Sequence, residues 1–419
     1  MERGCPLHGR RRYLVVSLWS RLGHGLLLAL LTVSLAYTDA SAGAGDVLWE
    51  DKLDLGRDTT AAGGLVASQG TLFALGVGPN TSSPCGRADI LVRAYRPKTG
   101  DLRWYSRWNP SGCTDVAAGI VAAAERVVVA GTGNAHRAPP GPLVVRGYDA
   151  NTGDVAWEDR CFADFSHAAF ASGVATDADR VFVAGVCNRS AFLRAYDAGT
   201  GAVLWDGSET TAGMVLLAAD GGRLFGVGFT NLNTLLIRAY DAATGTLSWE
   251  VRPDAAFDRA HVSPSLLLTA GGGAVFAHWN SGTGDHRIQA YDADTGTLLW
   301  QDDPGGAVEF VMAQGRLFAG GFSNLRAYDA RSGEVRWEDP RPVAPRAVGG
   351  NQVIGRDNSV PGAVRVYDAA SGEAVWEVKP GSGETFGSMA WEAARIFVGG
   401  VAVTQFGVGE FLLRAYDAK

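Results

Sequence analysis

The strongest constraint on this chain is a twelve-residue unit that keeps returning, one copy of which is Arg194-Ala195-Tyr196-Asp197-Ala198-Gly199-Thr200-Gly201-Ala202-Val203-Leu204-Trp205. Tyrosines stand at 95, 148, 196, 240, 291, 328, 367 and 416. Each but the last is followed nine residues later by a tryptophan, at 104, 157, 205, 249, 300, 337 and 376. Strand formers flank a short loop rich in Thr and Gly, so the unit reads as a tight β-hairpin. A three-residue loop built on a type I turn needs its last residue in the left-handed region, which Gly201 occupies without steric cost, and Asp197 can accept from the turn's amides. That loop pairs Ala198 with Ala202, Ala195 with Trp205 and Arg194 with Asp206, laying the indole over a small side chain.

Successive tyrosines lie 37 to 53 residues apart, the range of a four-stranded blade with loops of varied length. The intervals supply two further strands, as in Ala168–Ala175 and Val181–Gly185 around the turn Asp177-Ala178-Asp179. Ala347-Val348-Gly349-Gly350 makes the seventh unit the weakest, since it stands where an inner strand belongs. The two ends are permuted: Trp49 has no tyrosine before it, and Tyr416 stops where its turn would begin. Joining them gives an all-β, eight-bladed propeller of four-stranded antiparallel blades, with residues 46–52 as the outermost strand of a blade completed by 385–418. Closure of this kind removes exposed sheet edges. An open solenoid of seven hairpin pairs is the alternative, and it leaves both ends uncapped.

Arg93, Arg146, Arg194, Arg238, Arg326, Arg365 and Arg414 stand two residues before their tyrosines. Acidic residues follow six tryptophans: Glu50, Glu158, Asp206, Glu250, Glu338 and Glu377. The fifth unit breaks both at once, with Gln289 and Gln301, as a cross-strand pair would. In the first unit Arg93 would instead face Tyr105.

Glycine is abundant, at 56 of 419 residues, which suits many short strands joined by turns. Residues 1–42 read as a secretory signal, with Arg3, Arg10, Arg11, Arg12 and Arg21 before the apolar stretch Leu26–Ala36 and small residues at Ala40-Ser41-Ala42. Arg10-Arg11 before Tyr13-Leu14 faintly resembles a twin-arginine signal, and an uncleaved N-terminal anchor is the competing reading. No later stretch is long and apolar enough to be a transmembrane helix. Residues 43–419 then form one propeller domain with 32 basic and 42 acidic residues, a net charge of −10 that argues against a nucleic-acid partner. A monomer, exported to the periplasm or beyond, is expected.

The pattern Ala-x-Asp-x-x-Thr-Gly-x-x-x-Trp, as in Ala195 to Trp205 and Ala239 to Trp249, resembles the tryptophan-docking repeat of PQQ-like β-propellers across residues 46–419. Two branches share it: quinoprotein alcohol dehydrogenases, and non-catalytic propellers similar to the outer-membrane assembly lipoprotein BamB. The first implies adjacent cysteines over the quinone PQQ, a Trp beneath it, carboxylate and amide ligands for calcium, and a catalytic Asp. This chain has no adjacent cysteines and no stretch that matches the calcium ligands. The second implies a periplasmic scaffold that binds proteins, yet no lipobox cysteine stands at the cleavage site, Cys5 being far too early.

Trp49, Trp104, Trp157, Trp205, Trp249, Trp300, Trp337 and Trp376 therefore read as structural repeat residues, and Trp108, Trp279 and Trp391 as packing rather than quinone-stacking groups. His136, His167, His261, His278 and His286 fall in or beside connections on one face, without His-x-His or His-x₃-His spacing for a metal. The mature chain's four cysteines, Cys85, Cys113, Cys161 and Cys187, form an even set in an exported protein and allow three disulfide pairings. Cys85–Cys113 with Cys161–Cys187 is preferred, because it joins neighbouring loops. Asn80-Thr81-Ser82 and Asn188-Arg189-Ser190 match glycosylation acceptors, and no Gly-x-Ser-x-Gly or phosphate-cradling loop is present. The sequence thus points to an exported, cofactor-free binding or scaffold module. Its partner would dock on the face of the long loops 76–90, 131–142, 251–262, 278–287 and 400–410. The alternatives are a PQQ- and calcium-dependent oxidoreductase and a purely structural propeller.

Overall fold

Strand pairing sorts the chain into eight separate four-stranded antiparallel sheets. The computed structural model describes residues 43–54, 60–79, 88–111, 115–133, 141–162, 169–208, 212–230, 234–253, 266–280, 286–403 and 409–419. Seven blades are consecutive meanders, at 60–108, 116–161, 169–206, 212–251, 266–302, 307–339 and 343–378. In blade 3 the order from inside outward is Ala169–Asp177, Arg180–Cys187, Ser190–Asp197 and Val203–Asp206. Blade 8 takes Glu384–Glu392, Arg395–Val403 and Gly409–Asp417 from one end of the chain and its outermost strand, Val47–Asp54, from the other. Each inner strand touches the inner strands of both neighbouring blades, so the eight enclose a central channel. The fold is an eight-bladed β-propeller.

The hairpin turn differs in one detail from the three-residue loop. Asp197 N donates to Ala202 O at 2.9 Å and Gly201 N to Asp197 O at 2.8 Å, so the loop has four residues, Ala198 to Gly201, ending at Gly201 with φ +74°. Tyr196 pairs with Val203, but Ala195 pairs with Trp205 and Arg194 with Asp206, leaving Leu204 as the extra residue of a bulge. The longer loop and the bulge cancel, which is why the strand register follows the sequence although the turn does not. Asp197 Oδ1 accepts from Thr200 N and Oγ1, at 2.8 and 2.7 Å, and these bonds hold its carboxyl below the usual range.

The same turn is rebuilt across the chain ends. Asp417 N donates to Asp46 O at 3.0 Å and Gly45 N to Asp417 O at 2.9 Å, reproducing both backbone bonds of the continuous turns. Blade 7 also departs from the sequence reading, since Val343–Gly349 is a full inner strand. Trp391 lies against Gly349, where a Cβ would come within 2.0 Å of its ring, and close to Gly350, so Gly349 makes room for the neighbouring blade.

Eight apolar clusters fill the interfaces between successive blades, as where Phe182, Leu193 and Ala195 meet Leu224, Leu236 and Tyr240. The repeat tryptophans sit on these joints. Trp49, Trp104, Trp157, Trp205, Trp249, Trp300 and Trp337 donate Nε1 to the turn carbonyls of Pro97, Ala150, Ala198, Ala242, Ala293, Ala330 and Ala369 in the next blade, at 2.8–3.1 Å. Their rings press on the turn glycines, so that a Cβ at Gly201 would lie 2.5 Å from Trp157. Trp376 meets Gly45 instead, and its Nε1 has no acceptor among the described residues.

Arginine pairs with the carboxylate opposite it in six blades: Arg194–Asp206 and Arg238–Glu250 at 2.7 Å, Arg326–Glu338 at 2.9 Å, Arg365–Glu377 at 2.7 Å, and Arg146–Glu158 and Arg414–Glu50. In blade 5 Gln289 Nε2 donates to Gln301 Oε1 at 2.9 Å. Arg93 faces Tyr105 and reaches back to Asp51 of blade 8, at 2.9 Å.

Candidate functional site: the channel and the loop-bearing face

The channel wall is built from the inner strands, most of which carry a register break that leaves one residue unpaired. On the side of blades 1 to 4, Leu65, Ile120, Ser172, Val174 and Leu217 stand around a space of about 270 Å³. On the side of blades 6 to 8, Leu65, Glu309, Phe310, Arg346, Ser388 and Met389 bound about 430 Å³. Leu65 lines both spaces.

Charge enters this wall through Glu309 and Arg346, whose Oε1 and Nη1 are 2.9 Å apart. Burial pushes the Glu309 carboxyl above its ordinary range, against the opposing pull of Arg346 and Arg356. Burial likewise lowers Arg346, with Arg356 adding to the effect and Glu309 opposing it. Desolvation outweighs the attraction for both partners, and the carboxylate is held in an ion pair rather than left free. A calcium-bound quinone would need several free carboxylate and amide oxygens. The described wall presents one carboxylate, already held by an arginine, and that set does not fit. Among the described residues no group of three or more His, Cys, Asp or Glu could hold a metal ion.

The face where connections leave the third-strand and inner-strand starts contains most of the predicted loops. Strands run further into them than the sequence suggests: Thr71–Pro79, Ala88–Tyr95, Ala274–Asn280 and Arg395–Val403 take up their ends. The centres of these loops, with Cys85, Cys113, His136, His167, His261 and Asn80, lie outside the described residues. His278 is not in a connection at all. It is fully buried in a strand of blade 5, edge-on to Phe310 at 6.0 Å, and His286 begins the next strand. Cys187 ends its strand beside the inner connection of blade 3, which is the two-residue turn Asn188-Arg189. Cys161 and Cys187 form a disulfide with Cα atoms 6.3 Å apart, tying the exit of blade 2 to blade 3. Phe162 and Phe322 stand exposed on this face, 62% and 71% accessible.

Trp108 and Trp279 are both 2% exposed, the first beneath the Arg146 guanidinium at 4.3 Å, so neither faces a ligand space. Sequence reasoning missed a second set of carboxylates, two residues after the tryptophan. Asp51, Asp159 and Asp302 accept from Tyr95, Tyr196 and Tyr328 of the following blade at 2.7, 2.8 and 2.7 Å, and also meet the arginines there. Burial, then the Asp159 charge, pushes the Tyr196 phenol far up, so it stays a donor. The recurring Trp-x-Asp triplet was the available signal.

Residues 141–284 and 284–418 each match the sequence profile of the family described as outer membrane protein assembly factor BamB. The chain belongs to that family. No curated protein matches it significantly in sequence. Among solved structures, a quinohemoprotein alcohol dehydrogenase from Pseudomonas putida HK5 superposes with TM-score 0.59 at 16% identity, covering 89% of this chain and 76% of that one. A quinohemoprotein alcohol dehydrogenase from Comamonas testosteroni gives 0.57 at 13% identity, covering 89% and 76%. The computationally designed Ika8 protein gives 0.57 at 13%, covering 87% and 99%. At such identities these likenesses establish the family's fold and nothing about chemistry. Among the described residues no helix is long and apolar enough to cross a membrane.

Proposed function

We propose that this family member is an exported, non-catalytic propeller that binds a protein partner on its loop-bearing face, without PQQ or calcium. The observation that carries this reading is the channel wall, where the one described carboxylate, Glu309, is already held by Arg346 at 2.9 Å. Calcium-bound quinone chemistry at such a wall would lack the several free carboxylate and amide oxygens that the metal requires. The repeat residues with unusual chemistry are consumed in joints, so they do not compete as site residues. Family membership supports the same reading, because the family's description names an assembly factor. Residues 1–42 act as the export signal, and the exposed Phe162 and Phe322 would be part of the partner-facing surface.

Affinity capture with cross-linking from the native envelope tests this directly. A stoichiometric partner that is lost on Phe162→Ser and Phe322→Ser substitution is the expected result. Recovery of the chain alone, at equal yield and without cross-links, would leave the purely structural reading in its place.

A further inference from the structure

Seven joints of the ring are latched by an indole N–H, and the joint between blades 7 and 8 departs from them. Trp376 holds the repeat position there, and Ala418 O is the carbonyl that corresponds to the acceptors of the other turns. That carbonyl accepts from Gln352 Nε2 at 2.7 Å instead, and Trp376 Nε1 is buried without an acceptor among the described residues. The indole also sits further from its turn. A Cβ added at Gly45 would lie 3.2 Å from Trp376, against 2.5–2.8 Å for the glycines of the seven continuous turns. Trp376 is tilted by 43° from Tyr416, whereas Trp49, Trp104, Trp157, Trp300 and Trp337 stack on the next tyrosine at 17–27°.

Neighbouring positions do not make up the loss. Val378 stands where Asp51, Asp159 and Asp302 bind the following tyrosine. Trp391 fills part of the gap, at a register position where the other blades carry nothing larger than methionine. It acts as a wedge without a latch, since its Nε1 and Gln352 Oε1 are both buried with no partner among the described residues. A cleft of about 360 Å³ remains at this joint, lined by Gly350, Gln352, Asp368, Val375, Trp391 and Ala418. Apolar packing is present, through Ile354, Val364 and Val366 against Met389, Ile396 and Leu412, so what the joint lacks is polar fastening. Buried polar groups left unbonded cost free energy in the closed ring and regain water partners when the blades part. Strand Val47–Asp54 is tied into blade 8 by Glu50–Arg414 and Lys52–Glu384, so blade 8 would move as a whole.

We infer that the ring opens between blades 7 and 8, ahead of every other joint and without unfolding of the blades. Pro345 and Arg346 on one side of this joint, and Ser388 and Met389 on the other, border the larger channel space. Parting the two blades therefore opens that space to the side, and the joint is a side entrance to the channel. This device is independent of the proposed binding role.

Thiol labelling of the full chain under native conditions tests it. Val366, Ala195 and Ala327 share one register position, opposite the repeat tryptophan, and all three are fully buried. Cysteine at Val366 reports on the joint of blades 7 and 8, at Ala195 on that of blades 3 and 4, and at Ala327 on that of blades 6 and 7. Iodoacetamide modification, read site by site by peptide mass spectrometry, is expected to run about tenfold faster in Val366→Cys than in Ala195→Cys or Ala327→Cys. Val398→Cys, buried on blade 8's side of the same joint, should share the fast rate. Trp205→Phe keeps an aromatic ring and removes the bond to Ala242 O, so it should speed labelling of Ala195→Cys. Trp376→Phe should leave labelling of Val366→Cys unchanged or slower, because no bond is lost. Equal rates at all sites, as global unfolding would give, would overturn the inference. So would faster labelling at Ala195→Cys or Ala327→Cys, or a Trp376→Phe effect as large as that of Trp205→Phe.

Discussion

At the scale of single residues, each joint of the ring is one indole pressed on one glycine. Gly245 shows how tight the contact is: its φ is +72°, and a Cβ there would lie 2.6 Å from Trp205. Gly221 has φ +57° with nothing within 4 Å of the same added atom. Alanine at Gly221 should therefore cost only the left-handed backbone penalty, roughly 1–2 kcal/mol. Alanine at Gly245 should add an overpacking cost of roughly 1–3 kcal/mol. Urea-denaturation midpoints of the two variants check this, and equal losses would mean that the indole does not set the joint. The glycine was legible in the sequence as a turn residue. Its contact with a tryptophan of the preceding blade was not, because that distance is created only when the blades pack.

At the scale of the blade, the sequence announces hairpins through fixed spacing, and the Arg194–Asp206 register follows directly from it. Features that do not repeat are harder to see. Glu309 and Arg346 occur once each, on the inner strands of adjacent blades, and no spacing rule links them. The inner strand of blade 7 looked weak because Ala347-Val348-Gly349-Gly350 lacks bulk, yet Trp391 supplies that bulk from blade 8. His278 looked like a loop residue because strand Ala274–Asn280 runs beyond its apolar run. Blade 5 offers a test of the repeat's own logic. Replacing Gln289 by Arg and Gln301 by Glu together should restore the pairing of the other blades and stabilise the protein by roughly 0.2–1 kcal/mol. Each single substitution should give less or lose stability, and added salt should shrink the double-mutant coupling. A coupling of zero at low salt would show that the recurrent Arg–carboxylate pairs carry no register energy.

At the scale of the whole molecule, the ring depends on a seam that no peptide bond crosses. Strand Val47–Asp54 completes blade 8, and Glu384 gathers the pieces there: Lys52 lies at 3.2 Å and Arg414 at 2.6 Å. Burial works against the Glu384 charge, but hydrogen bonds from Arg414 and Gly381 N win and hold its carboxyl down at about 2. A carboxyl lowered on folding stabilises the protein above its unfolded pKa, and that contribution is lost as pH falls toward the folded value. Thermal stability should accordingly decline between about pH 4.5 and pH 2, and Glu384→Gln should be less stable at pH 7 while showing a flatter decline. An identical pH slope in the variant would remove Glu384 from the seam's energetics. Deleting residues 43–54 bares the edge of Gly409–Asp417 and should shift the chain to early-eluting species in gel filtration, by the hazard that open edges carry. Closure by the chain ends, hardware in the copies and function where the copies differ form one account, and its central claim is that the ring binds rather than oxidises. Titration of residues 43–419 with PQQ and calcium, followed by tryptophan fluorescence and a dye-linked oxidation assay over a panel of alcohols, tests that claim most directly. The account predicts no saturable quenching and no turnover above the protein-free rate, whereas micromolar PQQ binding with alcohol-dependent dye reduction would contradict it.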